Sequence, residues 1–255
     1  MIISSCELKP QLIKNNTLNK PDQGHSDDAD QESLIADREG LCYLKSFNPI
    51  FKYVGIAAGA MYIVFTFTSH LFNTALTPMT DWLSNYGSPV LNPSGALFYN
   101  LGCILTAAIL VVFYFGISQW YRGGRVAKKY TVSYVCAQVS GLAASCCLVV
   151  ASLFPIGTSS LHNTFGMMNM IGINCFMSFL SIAIFMHPHV NKAVGILGIF
   201  TATFNIITTN AFKNMYIAEW IYFSLFIIYI VLIMINYDKL GWLEVEKERD
   251  AGAVC

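Results

Sequence analysis

From Phe51 onward apolar residues come in long runs, and polar residues collect in short gaps between them. The runs cover approximately 51–72, 96–120, 130–154, 164–186, 193–209 and 217–237. Each is on the order of 20 residues, the length that carries an α-helix across a hydrocarbon core of about 30 Å. In lipid every backbone N–H and C=O must be paired within the segment, so runs of this kind predict helices. The fold class expected is all-α: a polytopic membrane protein with six transmembrane helices in one bundle, spanning 47–240. Residues 1–46 are rich in Asn, Asp, Gln, Ser and Lys and are expected to form a disordered tail. Residues 241–255 form a second, short charged tail.

The most polar gap is DWLSNYGSPVLNPSG, Asp81 to Gly95. Asp81 and Glu219 are the only two acids between Phe51 and Tyr237. Six spans put both termini on one side, and the cations choose the side. With the termini cytosolic, Lys45, Lys52, Arg122, Arg125, Lys128, Lys129, Lys192 and Lys239 lie inside, and only Lys213 lies outside. Trp82 and Trp220 then fall at the outer interface and Trp120 and Trp242 at the inner one, as an aromatic belt would place them. The side opposite the termini is called the outer end below.

Composition narrows the class. The chain is 55% apolar and 12% charged, whereas soluble domains run near a quarter charged. Net charge is zero and there is no basic arm, so no nucleic-acid partner is expected. Of eight cysteines, Cys103, Cys136, Cys146, Cys147 and Cys175 lie within apolar runs as small packing groups. No CxxC pair occurs, and the final AVC is not a prenylation box. Cys42, just before the first run, is a candidate for palmitoylation. The first residues lack the pattern of a signal peptide. DQESLI, with Asp30 three residues before the Leu34-Ile35 pair, fits the acidic dileucine pattern read by cytosolic sorting adaptors.

The spacing of small and polar residues marks helix contacts. Gly55 and Gly59 form a GxxxG, and Ala137, Gly141 and Ser145 make a narrow face on the third run. Thr201, Asn205, Thr208 and Thr209 share a face of the fifth, and Asn174, Ser178 and Ser181 share one of the fourth. Such groups either bond between helices or line a cavity.

Topology gathers a candidate outer polar cluster: His70, Asp81, Asn85, Asn92, His162, Asn163, Glu219 and Trp220. Two His and two carboxylates, His70, Asp81, His162 and Glu219, are the residue types that hold a metal such as zinc. No HExxH, GxSxG or HxxxH accompanies them, and neither a metal nor another cofactor is expected. Each residue also has a structural reading. Glu219 suits the dipole at the start of the sixth helix. Asn92 before Pro93 caps the second helix or closes an Asx turn, and Gly87 and Gly95 read as turn glycines.

Three segments carry a resemblance: Leu83–Ile117, with LSNYG, LNPSGA and FYNLG; Ser140–Ile173, with LFPIG and LHN; and Ala218–Ile230, opening AEW. Their order resembles a family of six-span membrane proteins known under a domain-of-unknown-function label. More distantly, it is similar to the damage-regulated autophagy modulator family. The resemblance covers about 50–237. It implies a lysosomal multi-span protein with a modulatory role. In those families an acid is frequent at the turn; here Asn85 takes that place and the acid stands at Asp81.

Three functions fit. The first is a non-enzymatic protein that binds lipid or another amphiphile, or modulates a membrane process, through a polar site on the outer face. The second is an intramembrane His/acid hydrolase or transferase. The third is a small-solute transporter, though no charge lies at mid-span. Expected partners are membrane lipids and, through Asp30–Ile35, sorting adaptors; the expected location is an endosomal or lysosomal membrane or the plasma membrane of a eukaryotic cell. The oligomeric state has no reading in the sequence.

Overall fold

Six α-helices follow one another: α1 Ile50–Phe72, α2 Ala96–Tyr121, α3 Lys128–Leu153, α4 Ser160–Met186, α5 Lys192–Ala211 and α6 Tyr216–Ile235. A short 3-10 helix, Leu83–Gly87, lies between α1 and α2. The structure, a computed structural model, describes residues 50–121, 128–187, 190–212 and 215–237. The tails 1–46 and 241–255, the Asp30, Leu34 and Ile35 motif, and Lys45, Arg122, Arg125, Lys213, Lys239 and Trp242 lie outside the described residues. No strand occurs among the described residues.

All six helices are long and apolar enough to cross a membrane, which makes this an integral, multi-pass membrane protein. Successive helices pack side by side, and α6 returns to α1, so the bundle closes into a ring. The helix limits agree with the apolar runs to within one residue except at four ends: α3 starts two residues early at Lys128, α6 stops two early at Ile235, and the start of α4 and the end of α5 also differ. α4 begins at Ser160 because the Ser159 hydroxyl accepts from the Leu161 amide and caps it. His162 and Asn163, expected in a loop, are therefore in the first turn of α4. α5 runs on to Ala211, two residues past the expected end, and Asn191 caps its start.

Aromatic side chains fill the ring. Phe176 of α4 is the hub, edge-on to Tyr114 with centroids 4.9 Å apart and to Phe113, Phe226 and Tyr229 at 6.2–6.4 Å. Such pairs contribute about 0.5–1.5 kcal/mol each beyond the area they bury. Trp120 joins this core. It is fully buried against Tyr134 and Tyr237, not in a lipid-facing belt, because the inner end needed a large side chain to close it.

The small-residue faces meet the partners their spacing called for. A Cβ on Gly55 would stand 2.9 Å from Ile230 and Met234, and one on Gly59 3.1 Å from Ile227, so the GxxxG seats α1 on α6. Gly141 receives the ring of Tyr114. Polar groups within the helices bond rather than face lipid. The Tyr222 hydroxyl donates to Asn174 at 3.0 Å, and Ser181 and Tyr229 share a bond of 3.1 Å, tying α4 to α6. On α5, Thr201 and Thr208 donate to carbonyls of their own helix. Thr209 is exposed, so the expected four-residue face of α5 is buried only at Thr201, Asn205 and Thr208. At the inner end the Lys192 ammonium donates to the carbonyls of Ile184 and His187, which the end of α4 leaves open.

Gly141→Leu should destabilise the bundle, since even a Cβ there would stand 2.3 Å from the Tyr114 ring. Overpacking of this kind costs about 1–3 kcal/mol. A lowered melting temperature in detergent checks it, with Gly166→Ala, where nothing lies within 4 Å, as the unaffected control.

Candidate functional site

The first loop is knotted to the ends of α1 and α2. Asn92 is 1% exposed. Its side-chain amide donates to the Ser69 hydroxyl at 2.9 Å, the Tyr86 carbonyl at 3.2 Å and the Ser69 carbonyl at 3.3 Å, and its oxygen accepts from the Gly95 amide at 3.2 Å. Ser69, fully buried, donates to the Gly95 carbonyl at 2.9 Å. The expected cap on α2 is thus present and reaches further, back to α1. Gly95 is not there for its torsion: the one described glycine with positive φ is Gly157. A Cβ at Gly95 would sit 2.4 Å from the Asn92 amide and 2.7 Å from the Ser69 carbonyl. Gly87 is likewise held by space, against Asn100 and Tyr99, and Asn100 donates to its carbonyl at 2.9 Å.

Tyr86 anchors the middle of the loop. It is 1% exposed and donates to the Leu76 carbonyl at 2.9 Å. Burial, and then the charge of Asp81, hold its phenol above the ordinary value of 10.0, so it stays protonated and donating at neutral pH. Its one proton being spent, the 2.6 Å bond from His70 must be donated by His70 Nδ1. His162 Nδ1 meets the Ala151 carbonyl at 2.9 Å, which only accepts, so this nitrogen is also protonated. Both histidines therefore spend Nδ1 on structure, and neither is bonded to a carboxylate or a serine.

The acids divide in the same way. Asp81 accepts from the Thr80 hydroxyl at 2.6 Å and, at longer range, from the Thr77 amide and Asn85. Its backbone carbonyl receives the indole N–H of Trp220 at 3.0 Å. Glu219, 8% exposed, is set beside the start of the 3-10 helix. The Leu83 and Ser84 amides and the Ser84 hydroxyl lie near its carboxyl group, and Oε2 has no partner. Trp220 thus latches the loop onto α6, with Glu219 beside it.

Of the expected cluster, His70, Asp81, Asn85, Asn92, Glu219 and Trp220 belong to this one loop assembly. His162 is bonded instead to the end of α3, and Asn163 is exposed. Among the described residues no three His, Cys, Asp or Glu form a group able to hold a metal ion. The four-residue metal cluster of His70, Asp81, His162 and Glu219 does not form, because each member is drawn into a separate local bond.

Below the loop lies a cavity of about 60 Å³ bounded by α1, α2, α3, α4 and α6. Leu83 and Tyr86 of the loop pack on Tyr99 and Cys103, which line its outer end, so the loop roofs it. Glu219 lies near Tyr62, Tyr99 and Cys103 at that end. Further in, Thr106, Tyr114, Ser145 and Asn169 line the space. Sequence reasoning missed this site. Ser145 stood out only as a small residue, and Thr106 and Asn169 are single polar residues in apolar runs, a signal too common to single them out.

Comparison with protein-family models, with curated proteins and with solved structures finds no match to this chain.

Asn92→Ala would take the side-chain donor from the buried Ser69 and Tyr86 carbonyls, leaving the Tyr86 carbonyl only the Ser69 hydroxyl at 3.4 Å, while the Gly95 amide keeps its backbone bond to residue 92. Each orphaned group costs about 1–3 kcal/mol, so the melting temperature in detergent should fall markedly and protease cleavage within 77–95 should rise. Asn163→Ala should change neither.

Proposed function

We propose that this is a non-enzymatic membrane protein that takes a lipid or other amphiphile into the cavity of its bundle. The outer polar residues serve as the roof of that cavity rather than as the binding surface itself. The observation that carries this reading is the cavity: five helices meet around it and leave it unfilled in a core otherwise packed with aromatic rings. A hydrolase or transferase reading lacks support in the side chains. His70 and His162 each spend a nitrogen on a structural bond, and Ser69 is bound into the loop knot. A transporter reading lacks a charged group in the cavity lining.

The orientation proposed keeps the lysine-rich end, with Lys52 and Lys192, in the cytosol. The resemblance to the autophagy-modulator family and the Asp30–Ile35 pattern both support an endosomal or lysosomal membrane. In a eukaryotic cell, replacing Leu34 and Ile35 with Ala should move the protein to the cell surface. Unchanged location by microscopy would reject the sorting role.

Native mass spectrometry of the purified full chain should find a co-purifying amphiphile. Thr106→Leu with Ser145→Leu, which fills the cavity, should reduce it at least tenfold, and Asn163→Ala should leave it. Equal retention by the filled variant would place the lipid elsewhere and reject this reading.

A further inference from the structure

Several Ser and Thr residues of the described helices satisfy themselves in the way hydrocarbon demands. Thr68, Ser152, Thr201 and Thr208 donate to carbonyls of their own helices at 2.8–2.9 Å. The core tyrosines Tyr222 and Tyr229 find hydroxyl or amide partners on α4. The cavity walls break this pattern. Thr106 Oγ1, Tyr114 OH and Ser145 Oγ are buried without any partner. Asn169, 4% exposed, lines the same space. The three unpartnered hydroxyls come from α2 and α3, and Asn169 adds an amide from α4 to the same void.

A buried hydroxyl without a bond is costly, and four polar side chains around one space together call for an occupant that hydrogen-bonds in several directions. The occupant must also be uncharged. No Asp, Glu, Lys, Arg or His lines the cavity, and a charged head there would lose its hydration with no counter-ion in return. Size sets a further limit. With water needing about 10–15 Å³ of such space, a cavity of about 60 Å³ admits a group of glycerol size, not a whole lipid. The remaining lining is apolar or aromatic, including Leu110, Ile173 and Phe226.

We propose that the cavity binds the uncharged polyol head of a neutral acylglycerol, with its hydroxyls bonded to Thr106, Tyr114, Ser145 and Asn169. The acyl chain leaves between α1 and α6 past Tyr62 and Phe223, half-buried lining residues on the outer side of the Gly59–Ile227 contact. This rests on the proposed function and narrows it to one ligand class.

The test is photolabelling of the purified full chain in detergent with a monoacylglycerol carrying a diazirine in its chain. Labels should map to α1 and α6, and unlabelled monooleoylglycerol should suppress them. Oleate, oleylamine, lysophosphatidylcholine and free glycerol at equal concentration should not. Thr106→Val with Ser145→Ala, which keeps shape and removes two hydroxyls, should lower labelling at least tenfold while leaving the melting temperature of the ligand-free protein unchanged or higher. A lowered melting temperature in that variant would show the hydroxyls to be structurally paired and overturn the proposal. Equal competition by a charged amphiphile would overturn the ligand class and keep amphiphile binding. Equal competition by free glycerol would overturn the lipid source. No label on the cavity helices from any probe would mean a space filled by water and would overturn both readings.

Discussion

A polar group buried in hydrocarbon must find its partner inside the protein, and the outer end of this bundle is arranged around that requirement. Helices pair their own backbones. The loop between α1 and α2 pairs only part of its backbone in turns and a 3-10 helix, and side chains take other carbonyls. Asn92 takes the Tyr86 carbonyl, Asn100 that of Gly87, Asn73 that of Leu91, Tyr86 that of Leu76 and Trp220 that of Asp81. Five irregular carbonyls thus receive donors from α2, α6 and the loop itself. Removing the Asn92 donor would open the loop where it meets both α1 and α2, which is why so small a side chain bears so much of the end.

The same requirement explains which expectations survived. Residues that looked available for chemistry, His70, Asp81, Asn92 and Glu219, were isolated polar groups in an apolar chain, and isolation in lipid compels bonding. His70 and Asn92 are engaged within the loop before any ligand arrives. The polar residues that remain unengaged are the ones that did not stand out, because a lone Thr or Asn in a membrane helix is ordinary in composition and informative only once its bonds are known.

The fold was legible because hydrocarbon leaves few options. Length and hydropathy predicted six helices, and small-residue spacing predicted close helix contacts at Gly55 and Gly141, though not which helices make them. Helix starts were less legible. The Ser159 cap could be read, yet its position one residue before an apolar–polar mixture, SLHN, hid the first turn of α4 among loop residues. The site was least legible. Gly87 and Gly95 resemble turn glycines in any sequence, and only the packed structure shows that space, not torsion, excludes a side chain. A cavity has no sequence pattern of its own, since it depends on what five helices together fail to fill.

Glu219 joins the two halves of the molecule. It is buried at the first turn of α6, where the N–H groups of its own helix favour an acid, and the start of the 3-10 helix offers two further amides. Those groups offset part of the cost of burying a carboxyl group, while Oε2 remains unpartnered. It lies beside the end of the cavity lined by Tyr62, Tyr99 and Cys103. An anionic head entering beneath that end would find no cation in the lining to relieve it, and a cationic head would find no acid there. An uncharged head avoids both conflicts. The chemistry of the space below the outer loop therefore sets the condition on what the bundle can hold.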